Sequence, residues 1–458
     1  MFPMPLMNAC RKRVAFVASR GLSRIAVLLV LWSAALASHA ALPIQQWVAA
    51  SGARVLFVES HDLPMLDVSV EFPAGSGRDA IESSGLANVT QRLMRLGVEG
   101  MNEDAISRGF ADVGAMLNST FDADRAGFSL RTLSSDAEQK QALDVMGRIV
   151  QSPSFPEPTL EREKARAIAT LKESDTKPET IVMRRFAHLL YADHPYGLRT
   201  TGEPKTIAQL TRANLVGFYQ SHYNADVAVV AIMGDITRAR AGEIAEQLTR
   251  DLPKAAAPLP PIAPVRALTT ALESDVEHPS AQAHILVGQP GLKRIDPDYF
   301  PLWVGNYILG GGGFTSRLYN EVREKRALSY SVYSFFVPFE QQGPFQIGLQ
   351  TRSDQAQEAL RVVRGVLSDF ATKGPTPAEL EGAKQNIVGG FALRIDSNQK
   401  ILNYLAVIGF YELPIDYLDT FTTRIEAVTL EQIRDAYTRR IDPQRMATVV
   451  VGGGKPSQ

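Results

Sequence analysis

Apolar positions along the chain switch repeatedly between two periods. Over Arg54–Val58 and Leu66–Phe72 they alternate or run together, with Pro64 in the connection, which predicts a hairpin-like pair of strands. From Ser83 to Leu96 the period lengthens. Leu86, Val89, Leu93 and Leu96 fall three or four apart and predict a helix. The same reading predicts a strand over Ala126–Leu133 and helices over Ala137–Val150, Glu157–Glu173 and Glu179–Tyr191. Farther on it predicts strands near Ala283–Gly288, Ser329–Phe336 and Phe345–Gln350. Helices are expected near Tyr299–Leu309, Ser316–Lys325, Ala356–Thr372, Pro377–Arg394 and Leu430–Arg439. Strands neighbour strands and helices neighbour helices. That order favours an α+β fold, antiparallel sheets with helices packed mainly on one face, over a doubly wound parallel sheet.

The pattern occurs twice. Leu210-Thr211 through Tyr219 aligns without gaps to Val428-Thr429 through Tyr437, and Ala228–Gly234 to Met446–Gly452, always 218 residues apart. Leu160, Glu161 and Lys164 match Leu380, Glu381 and Lys384 at an offset of 220. Each half therefore ends in a capping Thr, an amphipathic helix closing on Tyr, and an apolar strand closed by Gly, as duplication of one domain would produce. Between the halves, 251–271 is rich in Pro and Ala. Prolines 253, 258, 260, 261 and 264 block a helix and favour an extended spacer. The expected organisation is a signal segment over 1–40, a first domain over 41–250, a linker over 251–271 and a second domain over 272–458.

Composition sharpens this picture at the N-terminus. The first forty residues hold Arg11, Lys12, Arg13, Arg20 and Arg24 but no acid. An apolar run from Ile25 to Ala37 follows, then Ser38-His39-Ala40. This is the pattern of a secretory signal cleaved after Ala40, too short for a spanning helix, with an uncleaved anchor as the alternative. The periplasm, or the medium beyond it, is the expected destination. Losing those five cations takes the formal charge of −1 to −6. A mildly acidic chain is a poor partner for nucleic acid. The one cysteine, Cys10, lies in the signal, so the mature chain has no disulfide, thiolate metal site or cysteine nucleophile. No later apolar stretch is long enough to span a membrane.

The residues alone offer no catalytic constellation. The seven histidines (39, 61, 188, 194, 222, 278 and 284) include no pair four apart, the spacing that sets two metal ligands on one helical face. No nucleophile elbow or phosphate loop is present. One stretch is unusual: 306–336, reading NYILGGGGFTSRLYNEVREKRALSYSVYSFF. Gly310, Gly311, Gly312 and Gly313 stand between two expected helices, where glycine permits positive φ and close approach of another backbone. The following helix carries Arg317, Arg323, Lys325 and Arg326, and Tyr330 opens a strand rich in Ser and Tyr. These residues also read as a flexible loop followed by a solvated basic helix.

That stretch resembles the second-half motif of the insulinase (pitrilysin) family of zinc metallopeptidases. It matches in Gly311-Gly312-Gly313-Phe314-Thr315-Ser316-Arg317-Leu318 and in Val322-Arg323-Glu324-Lys325-Arg326-Ala327-Leu328-Ser329-Tyr330. Pro73–Asp79, Gly85-Leu86-Ala87, His194-Pro195-Tyr196-Gly197, Tyr223 and Gly234-Asp235 resemble further landmarks of the family, in order, over essentially all of 41–458. The resemblance implies two α+β halves that bound a chamber for peptides and small unfolded chains.

The chain departs from the family where the chemistry lies. The inverted zinc motif H-x-x-E-H should follow Gly-Leu-Ala, and here that place reads Asn88-Val89-Thr90-Gln91-Arg92. Asn88 and Arg92 stand where the resemblance implies histidine ligands, and Gln91 where it implies the general base. Ala169 and Thr170 align with the family's paired Glu, which supplies the third ligand. Asn is a weak neutral donor, Arg is a permanent cation with no lone pair to give, and Gln takes no proton from water at neutral pH. No metal and no hydrolysis are therefore expected of this chain alone, and Arg92 either fills the vacated pocket against a carboxylate or is merely solvated. In heterodimeric members of the family one subunit carries the zinc helix and the other the Arg/Tyr pair. The resemblance thus implies a non-catalytic subunit in which Arg323 and Tyr330 bind substrate and support the transition state. Gly310–Gly313 would let the peptide pass closely, and zinc would sit in a homologous partner with an intact H-x-x-E-H. The rival reading is a structural or peptide-capture protein that assists no catalysis.

Overall fold

Two β-sheets of one connectivity organise the chain, in a computed structural model that describes residues 43–254 and 257–452. The expected signal and its cleavage site lie outside the described residues. The strands in chain order are β1 (Gln45–Val48), β2 (Arg54–Glu59), β3 (Met65–Phe72), the short pair β4 (Gly97–Val98) and β5 (Met101–Asn102), β6 (Met116–Phe121), β7 (Ala126–Leu133) and β8 (Val229–Gly234). The second half adds β9 (Leu272–Val276), β10 (Gln282–Pro290), β11 (Ser329–Phe336), β12 (Pro344–Arg352) and β13 (Ala447–Val451). One sheet runs β1-β2-β8-β3-β7-β6 and the other β11-β12-β10-β13-β9. Read from the opposite edge, the second order repeats the first without β1.

The helices repeat as well. The first half holds α1 (Leu86–Met94), α2 (Glu103–Ala111), α3 (Asp136–Gln151), α4 (Glu157–Ser174), α5 (Pro178–Tyr191), α6 (Pro204–Gln209), α7 (Arg212–His222) and α8 (Arg238–Thr249). The second holds α9 (Tyr299–Asn306), α10 (Ala356–Lys373), α11 (Pro377–Gly389), α12 (Asn398–Phe410), α13 (Tyr417–Ala427) and α14 (Leu430–Arg440). α7 and α14 open on the same device. Thr211 and Thr429 each cap the helix, and the third helical residue, Asn214 or Gln432, reaches back to the cap. On one face of the first sheet Val55, Phe57, Val68 and Val70 join Leu93, Met146, Tyr219 and Ile244 in a single apolar core. Each such side chain contributes roughly 1.5–3 kcal/mol by leaving water, which is why the apolar period is so regular there.

The other face of each sheet is covered by a helix from the opposite half. α12 lies across β2, β3 and β8, and α5 lies across β10 and β13. A β-carbon on Gly409 of α12 would stand 2.5 Å from Leu56 Cδ1 and 2.6 Å from Val229 Cγ1, so glycine is required for that close approach. Val182, Phe186 and Leu190 of α5 pack against Leu286, Val449 and Val451. A buried carboxylate reinforces the exchange. Asp124 accepts hydrogen bonds from Tyr196 (2.5 Å), Tyr411 (2.8 Å) and the Glu340 amide (2.6 Å). Burial raises its pKa against these donors, the tyrosines foremost.

Several expectations are corrected here. β2 and β3 are not a hairpin: β8 lies between them, parallel to β2 and antiparallel to β3. β9 and β13 form the corresponding parallel pair in the second sheet. Local sequence cannot report a strand that inserts from more than 150 residues away. Beside the helices expected mainly on one face, α5 and α12 each cover the other face of the opposite half's sheet. The helix expected over Pro377–Arg394 ends at Gly389. The 257–271 segment is extended, as its prolines require, but it is no free spacer. Ile262 is buried, Val265 and Leu268 pack on the same cluster, and the carbonyls of Pro260 and Ala263 meet Arg78 and His194.

Candidate functional site

α1 and α4 bring the altered motif together. Asn88 and Arg92, four apart, share the partly exposed face of α1, while Gln91 turns into the sheet. Gln91 Nε2 donates to the carbonyl of Gly127 at 3.0 Å and, more weakly, to that of Thr120 at 3.4 Å. Its amide is thus a structural tie between α1 and strands β6 and β7. A carboxylate there would set two acceptors against two carbonyls. Arg92 Nη2 lies 2.6 Å from Oε2 of Glu163, an ion-pair contact outside hydrogen-bond alignment. Glu163 is 4% exposed, and its Oε1 accepts from Arg162 at 3.1 Å. Ala169 and Thr170 sit exposed on α4 and offer no carboxylate. The acid that faces α1 is Glu163, a residue the sequence did not single out. Its face of α4 continues through Ala167 to Thr170 at helical spacing. Asp79 anchors the start of α1 by accepting from the amides of Gly85 and Ala87, and burial pushes its carboxyl up to about 7 despite those bonds.

This donor set does not fit a zinc ion. The imidazoles of the family motif are replaced by an amide and a guanidinium, and the nearby carboxylate is already ion-paired to that guanidinium. Among the described residues no group of three or more His, Cys, Asp or Glu has the arrangement of a metal site.

The second half presents a different surface. A groove of about 830 Å³ is lined by Gly310, Gly311, Gly313, Arg323, Tyr330 and Arg394, with aromatic walls from Tyr319, Tyr333 and Phe335. Gly312 is not part of the lining. The expected helices on either side of the glycines are interrupted. α9 ends at Asn306 and continues as a π-helical turn over Tyr307–Gly311, closed by Gly312 N–H donating to Tyr307 O at 2.7 Å. The segment expected as a regular helix over Ser316–Lys325 is π-helical over Tyr319–Glu324, with Lys325 N–H donating to Asn320 O at 3.0 Å. Such wide turns are uncommon and cluster at functional sites. Gly313 has φ of +59°, while Gly310 packs against Ser334 of β11, so that close approach is to the chain's own strand. Asn306 secures the floor, donating to the Ser334 carbonyl at 3.0 Å and accepting from its hydroxyl at 2.7 Å.

Arg323 and Tyr330 meet here. The guanidinium carbon of Arg323 stands 4.4 Å from the Tyr330 ring centre and 4.8 Å from that of Tyr319. Its nearest carboxylate is Glu324, at 4.0 Å. Tyr330 is 84% exposed for a clear reason: the register shifts between Ser329 and Ser331, leaving Tyr330 as the extra residue of a bulge on edge strand β11. A bulge re-aims the side chain it carries. Beyond it Tyr333 and Phe335 stack, 5.6 Å apart and nearly parallel. Arg317 holds the π-helical segment to α11 through a forked pair with Glu379, at 2.6 and 2.7 Å. Burial works to raise the Glu379 carboxyl, but the bonds from Arg317 and Thr376 outweigh it and hold it at about 2. Arg394, Tyr333 and Phe335 were not singled out from sequence, although the aromatics alternate on one strand face.

Repeated α+β halves with reciprocally exchanged helices, a glycine loop and an Arg/Tyr groove define the class as an M16-type peptidase fold. Profile comparison agrees: residues 54–203 match Insulinase (Peptidase family M16), and residues 209–387 match Peptidase M16 inactive domain. The crystal structure described as a peptidase M16 inactive domain from Pseudomonas fluorescens is 36% identical, covers 91% of this chain and 99% of its own, and superposes with a TM-score of 0.87. An uncharacterized zinc protease of Streptomyces coelicolor is 27% identical, over 84% of each chain. The non-peptidase homolog YmxG of Helicobacter pylori is 23% identical, over 88% of this chain and 92% of its own. The chain belongs to peptidase family M16, the insulinase family. No helix among the described residues is long and apolar enough to cross a membrane.

Proposed function

We propose that this chain is an exported, non-catalytic, substrate-binding subunit of a heterodimeric M16 peptidase. One observation carries the reading: Arg323 and Tyr330 face an open groove with donors to spare, while the zinc-motif positions are filled by Gln91, bonded to the sheet, and Arg92, paired with Glu163. In this reading the chain binds no zinc, and the metal and the activation of water belong to a homologous partner with an intact H-x-x-E-H. Arg323 supplies a forked cation to a substrate carbonyl or peptide carboxylate, and Tyr330 donates from its phenol to the peptide backbone or to the developing oxyanion. Tyr333 and Phe335 give apolar side chains a surface. The Helicobacter relative is named a non-peptidase homolog, which supports a reading without hydrolysis for this chain. The basic-then-apolar first forty residues support export to the periplasm, with cleavage near Ala40.

The test is reconstitution. The purified chain is expected to cleave no peptide. Mixed with a zinc-bearing M16 chain from the same cell, it is expected to yield peptide hydrolysis that a chelator abolishes. Hydrolysis by the isolated chain would refute the proposal. Peptide binding without hydrolysis in every mixture would favour the peptide-capture alternative.

A further inference from the structure

A second cavity, away from the Arg323 groove, lies where the two halves meet. It encloses about 510 Å³ between the start of β2, the approach to β8, the segment after β10 and the end of α12. Its walls are largely apolar: Pro73, Val227, Val229, Ile295 and Phe410. Set into them are Lys293 and Arg294, and neither has a carboxylate within 4.0 Å among the described residues, although salt bridges are common elsewhere in the chain.

Two of the three carboxylates around the cavity are committed. Arg54 donates to Glu412 at 2.7 Å and to the Gly409 carbonyl at 2.6 Å. Glu340 lies 3.6 Å from Arg78. Arg294 is held in direction without being neutralised: its guanidinium carbon stands 5.6 Å from the Tyr411 ring centre and 5.8 Å from that of Tyr299. Its Nε is buried and has no acceptor. A buried donor without a partner is costly, and an oriented guanidinium beside an ammonium in an apolar cleft matches a carboxylate. Tyr411 links the site to the seam, since its hydroxyl donates to Asp124 while its ring faces Arg294. Glu412, beside it, takes φ of +52°, a backbone state that non-glycine residues rarely adopt.

We propose that this cavity binds a small organic carboxylate with an apolar body, the chemistry shared by a hydrophobic amino acid and the C-terminal end of a short peptide. Lys293 and Arg294 receive the carboxylate, and Phe410 and the aliphatic walls receive the body. Exposed Asp226, at the rim, would add a partner for an α-ammonium group. The site is independent of the groove and of the function proposed above.

Calorimetric titration of the full chain tests this with four probes: N-acetyl-leucine, leucyl-leucine, leucinamide and inorganic phosphate. N-acetyl-leucine is expected to bind and leucinamide, which lacks the carboxylate, is not. Tighter binding of leucyl-leucine identifies a peptide end as the source, and weaker binding a free amino acid or similar acid. Arg294→Gln and Lys293→Gln are each expected to weaken N-acetyl-leucine roughly tenfold or more. Arg294→Lys, which keeps a cation, covers the case in which Arg294→Gln misfolds, and is expected to weaken binding less than the loss of charge. Lys140→Gln, on the exposed face of α3 and outside both cavities, is expected to leave binding unchanged. Absence of N-acetyl-leucine binding, equal binding of leucinamide, affinity unmoved in folded Arg294 and Lys293 variants, or phosphate binding as tightly as N-acetyl-leucine would each overturn the proposal.

Discussion

The two halves place corresponding elements side by side and use them in opposite ways. In the first, α1 packs on α7 and β7. In the second, α9 packs on α14 and β11. Two polar side chains of α1 are engaged from within: Gln91 by two strand carbonyls, Arg92 by Glu163. Beyond α9 the chain widens into π-helical turns, and Arg323, Arg394 and Tyr330 border open space. The difference teaches how to separate architecture from function in a duplicated fold. A polar group bonded internally holds the scaffold, and one left oriented but unsatisfied is available to a ligand.

The contrast can be broken by substitution. The largest effect is expected from Arg323→Ala in the reconstituted complex: a loss of activity on the order of a hundredfold, as for removal of one transition-state donor. The thermal midpoint of the chain is expected to stay nearly constant, because the guanidinium has no close ionic partner. Gln91→Glu should do the reverse. Setting a carboxylate against the Gly127 and Thr120 carbonyls is expected to cost about 2 kcal/mol in denaturant unfolding, with no hydrolysis gained. Arg92→Ala leaves buried Glu163 with Arg162 alone. Since Arg92 is 40% exposed, the expected loss is about 1 kcal/mol, seen as a lower midpoint with peptide affinity unchanged.

The smallest effect is a pH slope. The Glu379 carboxyl is held at about 2, below its unfolded value, so its pairing with Arg317 stabilises the fold fully above that unfolded value, near 4.5. The contribution is lost as pH falls through the folded value. After allowance for solvent screening, the difference between wild type and Glu379→Gln is expected to shrink by under about 1 kcal/mol from pH 6 to pH 2.5. Thermal unfolding at the two pH values measures it.

Much of this was legible in the chain. Ser329–Phe336 and Ala126–Leu133 appear as strands with the expected limits, because alternation and turn residues mark them locally. The repeat was visible through Thr211 and Thr429, since capping leaves a sequence signature. Arg323, Tyr330 and the glycines were visible as a motif, and the structure gathers Arg323, Tyr330 and three of the four glycines about one groove. What sequence hid depends on distant segments. The pairing of Arg92 with Glu163 spans 71 positions and two helices. α12 went unread: its buried apolar residues pack against the other half's strands β2, β3 and β8, a partner that no local pattern names. The bulge at Tyr330 follows from its register with Thr351 and Gln350, which no local pattern encodes.

Metal content is the most direct test of the central contrast. The purified chain, incubated with excess zinc and freed of unbound ion, is expected to retain far less than one zinc per chain, and substituting Arg92 or Glu163 by Ala is expected to leave that unchanged. One tightly held zinc per chain, lost on substitution of Glu163, would contradict the account.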